Sequence, residues 1–156
     1  MSQTHHMRRA VELSAAGMRG GHGGPFGAVI ARDGVIIAEA HNEVLSSHDP
    51  TAHAEVLAIR RAAAALGRHH LSDCEIFTSC EPCPMCLGAI YWSRLARIHF
   101  ANTRADAAAI GFDDQFFYEE LALPHSARRV PMVSVGREEA QAIFAEFAAS
   151  AARQLY

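Results

Sequence analysis

The sequence predicts an α/β fold, a three-layer α/β/α sandwich built around a mixed five-stranded sheet. Two observations lead there. The first two strand-like apolar runs are joined by Asp33-Gly34, a strong short hairpin signal that makes one pair antiparallel. Beyond that hairpin, short apolar runs alternate with segments of helical periodicity, the pattern of a sheet with helices on both faces.

Each element has its own signal. Met7, Ala10, Val11, Ala15 and Met18 recur at helical spacing and predict a first helix. Residues 20–25 are glycine-rich and close to periodic segments on both sides, so they read as a loop and not as a domain boundary. Residues 26–31 and 35–41 form the hairpin. Asp49-Pro50-Thr51 is a helix-start signal, and the helix runs to Leu66 with Gly67 beyond its end. Residues 74–78 are a strand, Pro82 and Pro84 open a helix that reaches about Ser93, and residues 97–101 are a further strand. A loop-like region passes through Phe112-Asp113-Asp114. Residues 130–135 are the fifth strand, although Pro131 cannot donate to a ladder. Ile143, Phe144, Phe147, Ala148 and Ala151 then share one face of a closing helix over 138–153.

A chain of 156 residues fits one domain, 1–156, and can bury a sufficient core without covalent staples. The net charge is −3, the isoelectric point about 6.3, and all fourteen basic side chains are arginine. That balance lacks the basic excess of a nucleic-acid binder. No apolar run has the length of a membrane span, and the N-terminus lacks the apolar core of a signal peptide, so a cytoplasmic protein is expected. In a reducing compartment the four cysteines, Cys74, Cys80, Cys83 and Cys86, point to metal ligation rather than disulfides.

The chemistry concentrates in His53-Ala54-Glu55 and Pro82-Cys83-Pro84-Met85-Cys86. Two cysteines three apart at a helix start can direct both sulfurs at one point, and the positive helix end favours the thiolates that zinc needs. His53 adds a neutral nitrogen from the start of another helix. Three protein ligands leave a fourth tetrahedral position for water, the catalytic arrangement and not the structural one. Positions two apart on a helix do not share a face, so the metal is expected off the helix end, where Glu55 can reach the bound water as a proton carrier. Cys80 lies three before Cys83, which leaves open a closed Cys₃His structural site, and Cys74 leaves open an iron–sulfur cluster. Neither alternative uses Glu55. The remaining histidines, among them His6, His41 and His99, are taken as surface or loop residues.

The segments Pro25-Phe26-Gly27-Ala28-Val29, Asn42, residues 49–55, residues 78–86, Tyr91-Trp92-Ser93-Arg94 and Gly111-Phe112-Asp113-Asp114 together resemble the cytidine deaminase superfamily, whose zinc signature is H-x-E…P-C-x-x-C. More narrowly they resemble the small bacterial guanine deaminases, over nearly the whole chain to Tyr156. The resemblance implies a cytidine deaminase-like fold and Zn2+ held by His53, Cys83 and Cys86. It implies that Glu55 is the main proton shuttle, that Asn42 hydrogen-bonds the purine, that Phe26 contacts its ring and that Asp114 assists at the leaving amine. It also implies a homodimer with swapped C-terminal segments, in which Tyr156 closes the partner subunit's site. Cys80 matches the family pattern without being a ligand. By residue type alone, Phe26 also fits a core, Asn42 a turn cap, Asp113-Asp114 a solvated loop and Tyr156 a frayed end. Trp92, the single tryptophan, is read as core or as pocket wall and is grouped with the substrate-binding residues.

The implied reaction is hydrolysis of guanine to xanthine and ammonia, a zinc-bound hydroxide attacking C2 while Glu55 carries the proton. The nearest rival is a tRNA adenosine deaminase of the same fold, which needs a phosphate-tracking surface. A second is a deaminase of another small base or nucleoside, such as cytosine, guanosine or an aminotriazine. A third, from a different class, is a non-catalytic zinc-stabilised interaction module, for which Glu55 has no use.

Overall fold

The computed structural model describes residues 2–156, which fall into two compact units, residues 2–115 and 116–156. In the first unit, helix α1 (Gln3–Arg19) is followed by strands β1 (Gly27–Arg32) and β2 (Val35–His41), the short helix α2 (Val44–Ser47) and helix α3 (Ala54–Leu66). Strand β3 (Glu75–Cys80), helix α4 (Pro84–Ser93), strand β4 (Arg97–Asn102) and helix α5 (Arg104–Ala109) complete it.

The strand order is β2-β1-β3-β4. The β1–β2 and β1–β3 pairs are antiparallel, whereas β3–β4 is parallel, so the sheet is mixed as expected. At the hairpin, Asp33 and Gly34 both adopt positive φ, 50° and 76°, the signature of the turn whose twist suits paired strands. The parallel pair is possible because α4 supplies the crossover between β3 and β4.

Side-chain alternation along the strands assigns the two faces. Ala28 and Ile30 of β1, Ala38 and Ala40 of β2 and Ile76 of β3 pack with Ala54, Ala58 and Ala62 of α3 and Ile90 of α4. On the opposite face Val29, Ala31 and Phe77 pack against Ala10 and Leu13 of α1. Alanine at every fourth position of α3 lets its backbone lie close to the sheet. The two packed faces give the three layers.

Several expectations are corrected. The sheet has four strands among the described residues: residues 130–135 form no ladder, with Val130, Val133 and Val135 largely exposed. Pro131 removes a donor in that segment. The helix predicted from Asp49 begins at Ala54, because residues 49–53 are held in turns by Asp49, whose carboxylate accepts from the Thr51 N–H and hydroxyl at 2.8 and 2.7 Å. His6 is buried, not a surface residue: its Nε2 faces the Gly34 carbonyl at 3.2 Å and its ring lies 4.9 Å from Phe77. His99 stacks on Phe77 at 4.3 Å and pairs with Glu75 at 2.7 Å.

Helix α6 (Gln115–Ala122) starts at the last residue of the first unit, and the second unit continues with a 3-10 turn (His125–Ala127) and the closing helix α7 (Arg137–Ala149). Arg129 packs 4.7 Å above the Phe116 ring within this unit. The face of α7 predicted to be apolar is there, but Ile143, Phe144 and Phe147 are exposed.

Candidate active site

The site is built on the N-termini of two helices. His53 is the N-cap residue of α3, with extended backbone (φ −70°, ψ 150°), and Cys83 is the N-cap residue of α4 (φ −66°, ψ 167°). Pro84 at the first position of α4 stabilises that start, since its missing N–H has no helical partner there anyway. Cys86 follows one turn later on the same face and is fully buried. Extended backbone at each cap turns the side chain off the helix end.

His53 Nδ1 lies 3.6 Å from Cys83 Sγ and 3.4 Å from Cys86 Sγ, and the three donor atoms all lie within 4.8 Å of one another. A nitrogen and a sulfur bound to one tetrahedral zinc are about 3.6 Å apart, from bond lengths of roughly 2.0–2.1 and 2.3 Å. The donor set therefore fits zinc in chemistry and in spacing.

Cys80 does not join the group. Its thiol points to the Thr103 carbonyl at 3.6 Å, and burial pushes it up to about 11. Cys74 is likewise pushed up to about 11 by burial, and its thiol faces Asp73 at 3.4 Å. The closed four-ligand site and the iron–sulfur cluster are thus not assembled; among the described residues the metal-ligating group is His53, Cys83 and Cys86.

Electrostatics prepare one of the three ligands, Cys83, for a metal. The Cys86 thiol hydrogen bond holds Cys83 down at about 4, with His53 adding to the effect, while the bond to Cys83 raises Cys86. Of the two sulfurs, Cys83 is therefore the one favoured as a thiolate. Hydrogen bonding to Cys83 raises His53.

Glu55, the second residue of α3, is 7 % exposed, and desolvation raises its carboxyl above the usual range. It lines a cavity of about 250 Å³ together with His53 and Cys83. Asp114 lines the same cavity, and its carboxyl is raised mainly by burial and next by the Cys83 sulfur. Two carboxyls with raised proton affinity therefore face the space beside the metal group.

Phe26 and Asn42 are also on the cavity wall. Phe26 meets Phe112 edge to face at 4.9 Å. Asn42 is buried; its Oδ1 accepts from the Val44 N–H at 3.1 Å, and its own N–H donates to the Phe26 carbonyl at 2.9 Å. It does cap a turn, as its residue type suggests, and it faces the cavity as well. Gly23 makes this possible: a Cβ there would stand 2.0 Å from Asn42 Oδ1.

Trp92 corrects the core reading, and it is not among the residues lining this cavity. Cys86, Ile90 and Ser93 are the buried positions of α4, which leaves Trp92 and Tyr91 outside, 68 % and 75 % exposed. Tyr156 belongs to the second unit and is also exposed. Leu45 and Glu81 are cavity residues that sequence reasoning missed. Leu45 lies in a four-residue helix too short for a periodic signal. Glu81 sits between Cys80 and Pro82 in the ligand segment, where its position was the available clue; its carboxylate accepts from the Arg104 N–H at 3.0 Å.

Comparison with known proteins bears on this arrangement. Residues 1–102 match the family described as "Cytidine and deoxycytidylate deaminase zinc-binding region". The chain is similar to the guanine deaminase of Bacillus subtilis (strain 168), at 53 % identity over 135 residues, 86 % of each chain. It is similar to the X-ray structure of guanine deaminase from Bacillus subtilis with a TM-score of 0.96 at 49 % identity, covering 100 % of this chain and 99 % of that one. It also resembles the tRNA-specific adenosine deaminase of Agrobacterium fabrum (strain C58 / ATCC 33970), at 37 % identity over 116 residues, 74 % of this chain and 75 % of the other.

Proposed function

The chain belongs to the zinc-binding cytidine and deoxycytidylate deaminase family, and on that premise we propose that it hydrolyses guanine to xanthine and ammonia. The observation that carries the reading is one cavity wall holding a His53/Cys83 metal edge and the buried carboxyl of Glu55, beside Phe26 and Asn42.

His53, Cys83 and Cys86 hold the zinc, which, when bound, lowers the pKa of a water from roughly 15.7 toward about 7 and so provides a nucleophile at neutral pH. The remaining work is done by the chain. Phe26 and Phe112 form an aromatic wall for the purine plane. Asn42 Oδ1 is occupied by the Val44 N–H, so its Nδ2 is the group left to donate to a purine acceptor. Glu55 takes a proton from the attacking water, since burial raises the affinity of its carboxyl for a proton. As the new oxygen–C2 bond forms, one water proton is delivered to N3. Glu55, assisted by Asp114, passes the second to the exocyclic amine, the C2–N bond breaks and ammonia leaves. The two helix N-termini favour the negative charge that develops beside them.

The chain acts on a small purine as a homodimer in the cytoplasm, and residues 1–156 function as one deaminase domain. The exposed apolar side chains of α4 (Tyr91, Trp92) and α7 (Ile143, Phe144, Phe147) support association with a second copy. No helix among the described residues is long and apolar enough to cross a membrane. Exchange of C-terminal segments, with Tyr156 closing the partner's cavity, follows the family likeness.

The deciding experiment is ammonia release by the zinc-loaded protein against guanine, guanosine, cytosine, adenine, an aminotriazine and a tRNA anticodon stem. Turnover of guanine above the rest is expected. Turnover of the tRNA stem with none of free guanine would make the chain an RNA-editing enzyme.

A further inference from the structure

His22 and His41 are absorbed by none of the chemistry above, yet their rings are linked to each other and to segments that line the cavity. His41 Nδ1 lies 3.1 Å from the Asn42 carbonyl, and its Nε2 lies 3.3 Å from His22 Nδ1. A carbonyl only accepts, so His41 carries its proton on Nδ1 and its Nε2 accepts from His22 Nδ1–H. The rings are 4.8 Å apart. His22 is tied down through its backbone as well. Its N–H donates to the Gly17 carbonyl at 3.0 Å, and its carbonyl accepts from the Leu45 and Ser46 N–H groups at 3.0 and 3.1 Å. Gly17 exists to admit this pair: a Cβ there would stand 2.7 Å from the His41 ring.

Three parts of the site converge on these two rings. Asn42 is fixed through its carbonyl, the start of α2 through the His22 carbonyl, and the glycine-rich loop through His22 itself. Asn42, Val44 and Leu45 line the cavity, whereas neither histidine is among its wall residues. We propose that His22 and His41 form a hydrogen-bonded clasp, with His41 as the positioning residue, that sets Asn42 and the Val44-Leu45 wall at the height needed to grip the purine. The clasp rests on the guanine deaminase reading for its ligand, but not for its mechanics. It acts on substrate grip and leaves the metal and Glu55 untouched, because it contacts neither.

The test uses full-length zinc-loaded protein. His41→Ala should raise KM for guanine by about tenfold, the effect of losing one to two net hydrogen bonds. Its kcat should stay within about twofold and its zinc at one per chain. His41→Gln, whose amide oxygen can accept from His22 at the Nε2 position but supplies no donor to the Asn42 carbonyl, should restore part of the KM. Amide hydrogen exchange at Leu45 and Ser46 should quicken in His41→Ala and recover in His41→Gln. An unchanged KM, equal values for the alanine and glutamine variants, or kcat and zinc falling together with KM would overturn the clasp. So would a second zinc per chain that disappears in His22→Ala, since a 3.3 Å separation also suits two nitrogens on one metal. Failure of the wild-type protein to deaminate guanine would sink the functional reading alone; the exchange measurement judges the clasp without substrate.

Discussion

Glu55→Gln exchanges one carboxylate oxygen for an amide while keeping size and packing. The variant should retain fold and one zinc per chain, because Glu55 is not in the ligand group, and should lose roughly 10³-fold or more in kcat, since the proton carrier is gone. Metal content with steady-state rates checks both halves. Cys80→Ser should keep zinc and activity, as its thiol faces the Thr103 carbonyl, a bond that a hydroxyl can also make. Zinc lost from that variant would return Cys80 to the ligand set. At this scale the metal residues and Glu55 were legible in the chain itself, because ligand chemistry restricts residue types and the spacing is local to two short segments. Asn42 and Leu45 were not legible from residue type. Their role depends on a loop and a four-residue helix meeting His53 from elsewhere in the chain.

The elements follow local rules where the rule is local. The Asp33-Gly34 hairpin, the Gly67 stop and the Pro84 start stand where turn and cap chemistry put them. The start of α3 did not, since the Asp49 turn competes with the helix for the same residues. The sheet centre makes a stability prediction: Ile30 is fully buried between layers, and Ile30→Ala should cost about 2–5 kcal/mol in denaturant unfolding. Between α1 and β2, the Arg9 guanidinium lies 2.5 and 2.8 Å from the Glu39 carboxylate and holds its pKa below the usual range. A depressed carboxylate contributes stability at neutral pH that is lost as pH falls through its folded value. Both side chains are more than a third exposed, so Glu39→Gln should cost no more than about 1 kcal/mol at pH 7, a cost that fades below the unfolded carboxylate range. Thermal melts across pH 3–7 check the sign.

For the molecule as a whole, zinc removal separates an enzyme from a zinc-stabilised module. Neither packed cluster of the sheet includes Cys83 or Cys86, so chelation should abolish turnover, lower the melting temperature and leave far-ultraviolet dichroism largely intact. Collapse of the dichroism would identify a structural ion. Sedimentation should show a dimer, given the apolar area left exposed on α4 and α7. The metal triad, the carboxyl of Glu55 beside it, the mixed sheet and its two helical layers were all readable from residue order, because spacing within short segments carries them. Four outcomes needed the folded chain: the exposed Trp92, the missing fifth strand, the buried His6 and the His22–His41 pair. Each depends on which face of an element finds a partner, and that is set by the packing of segments distant in sequence, which no local pattern encodes.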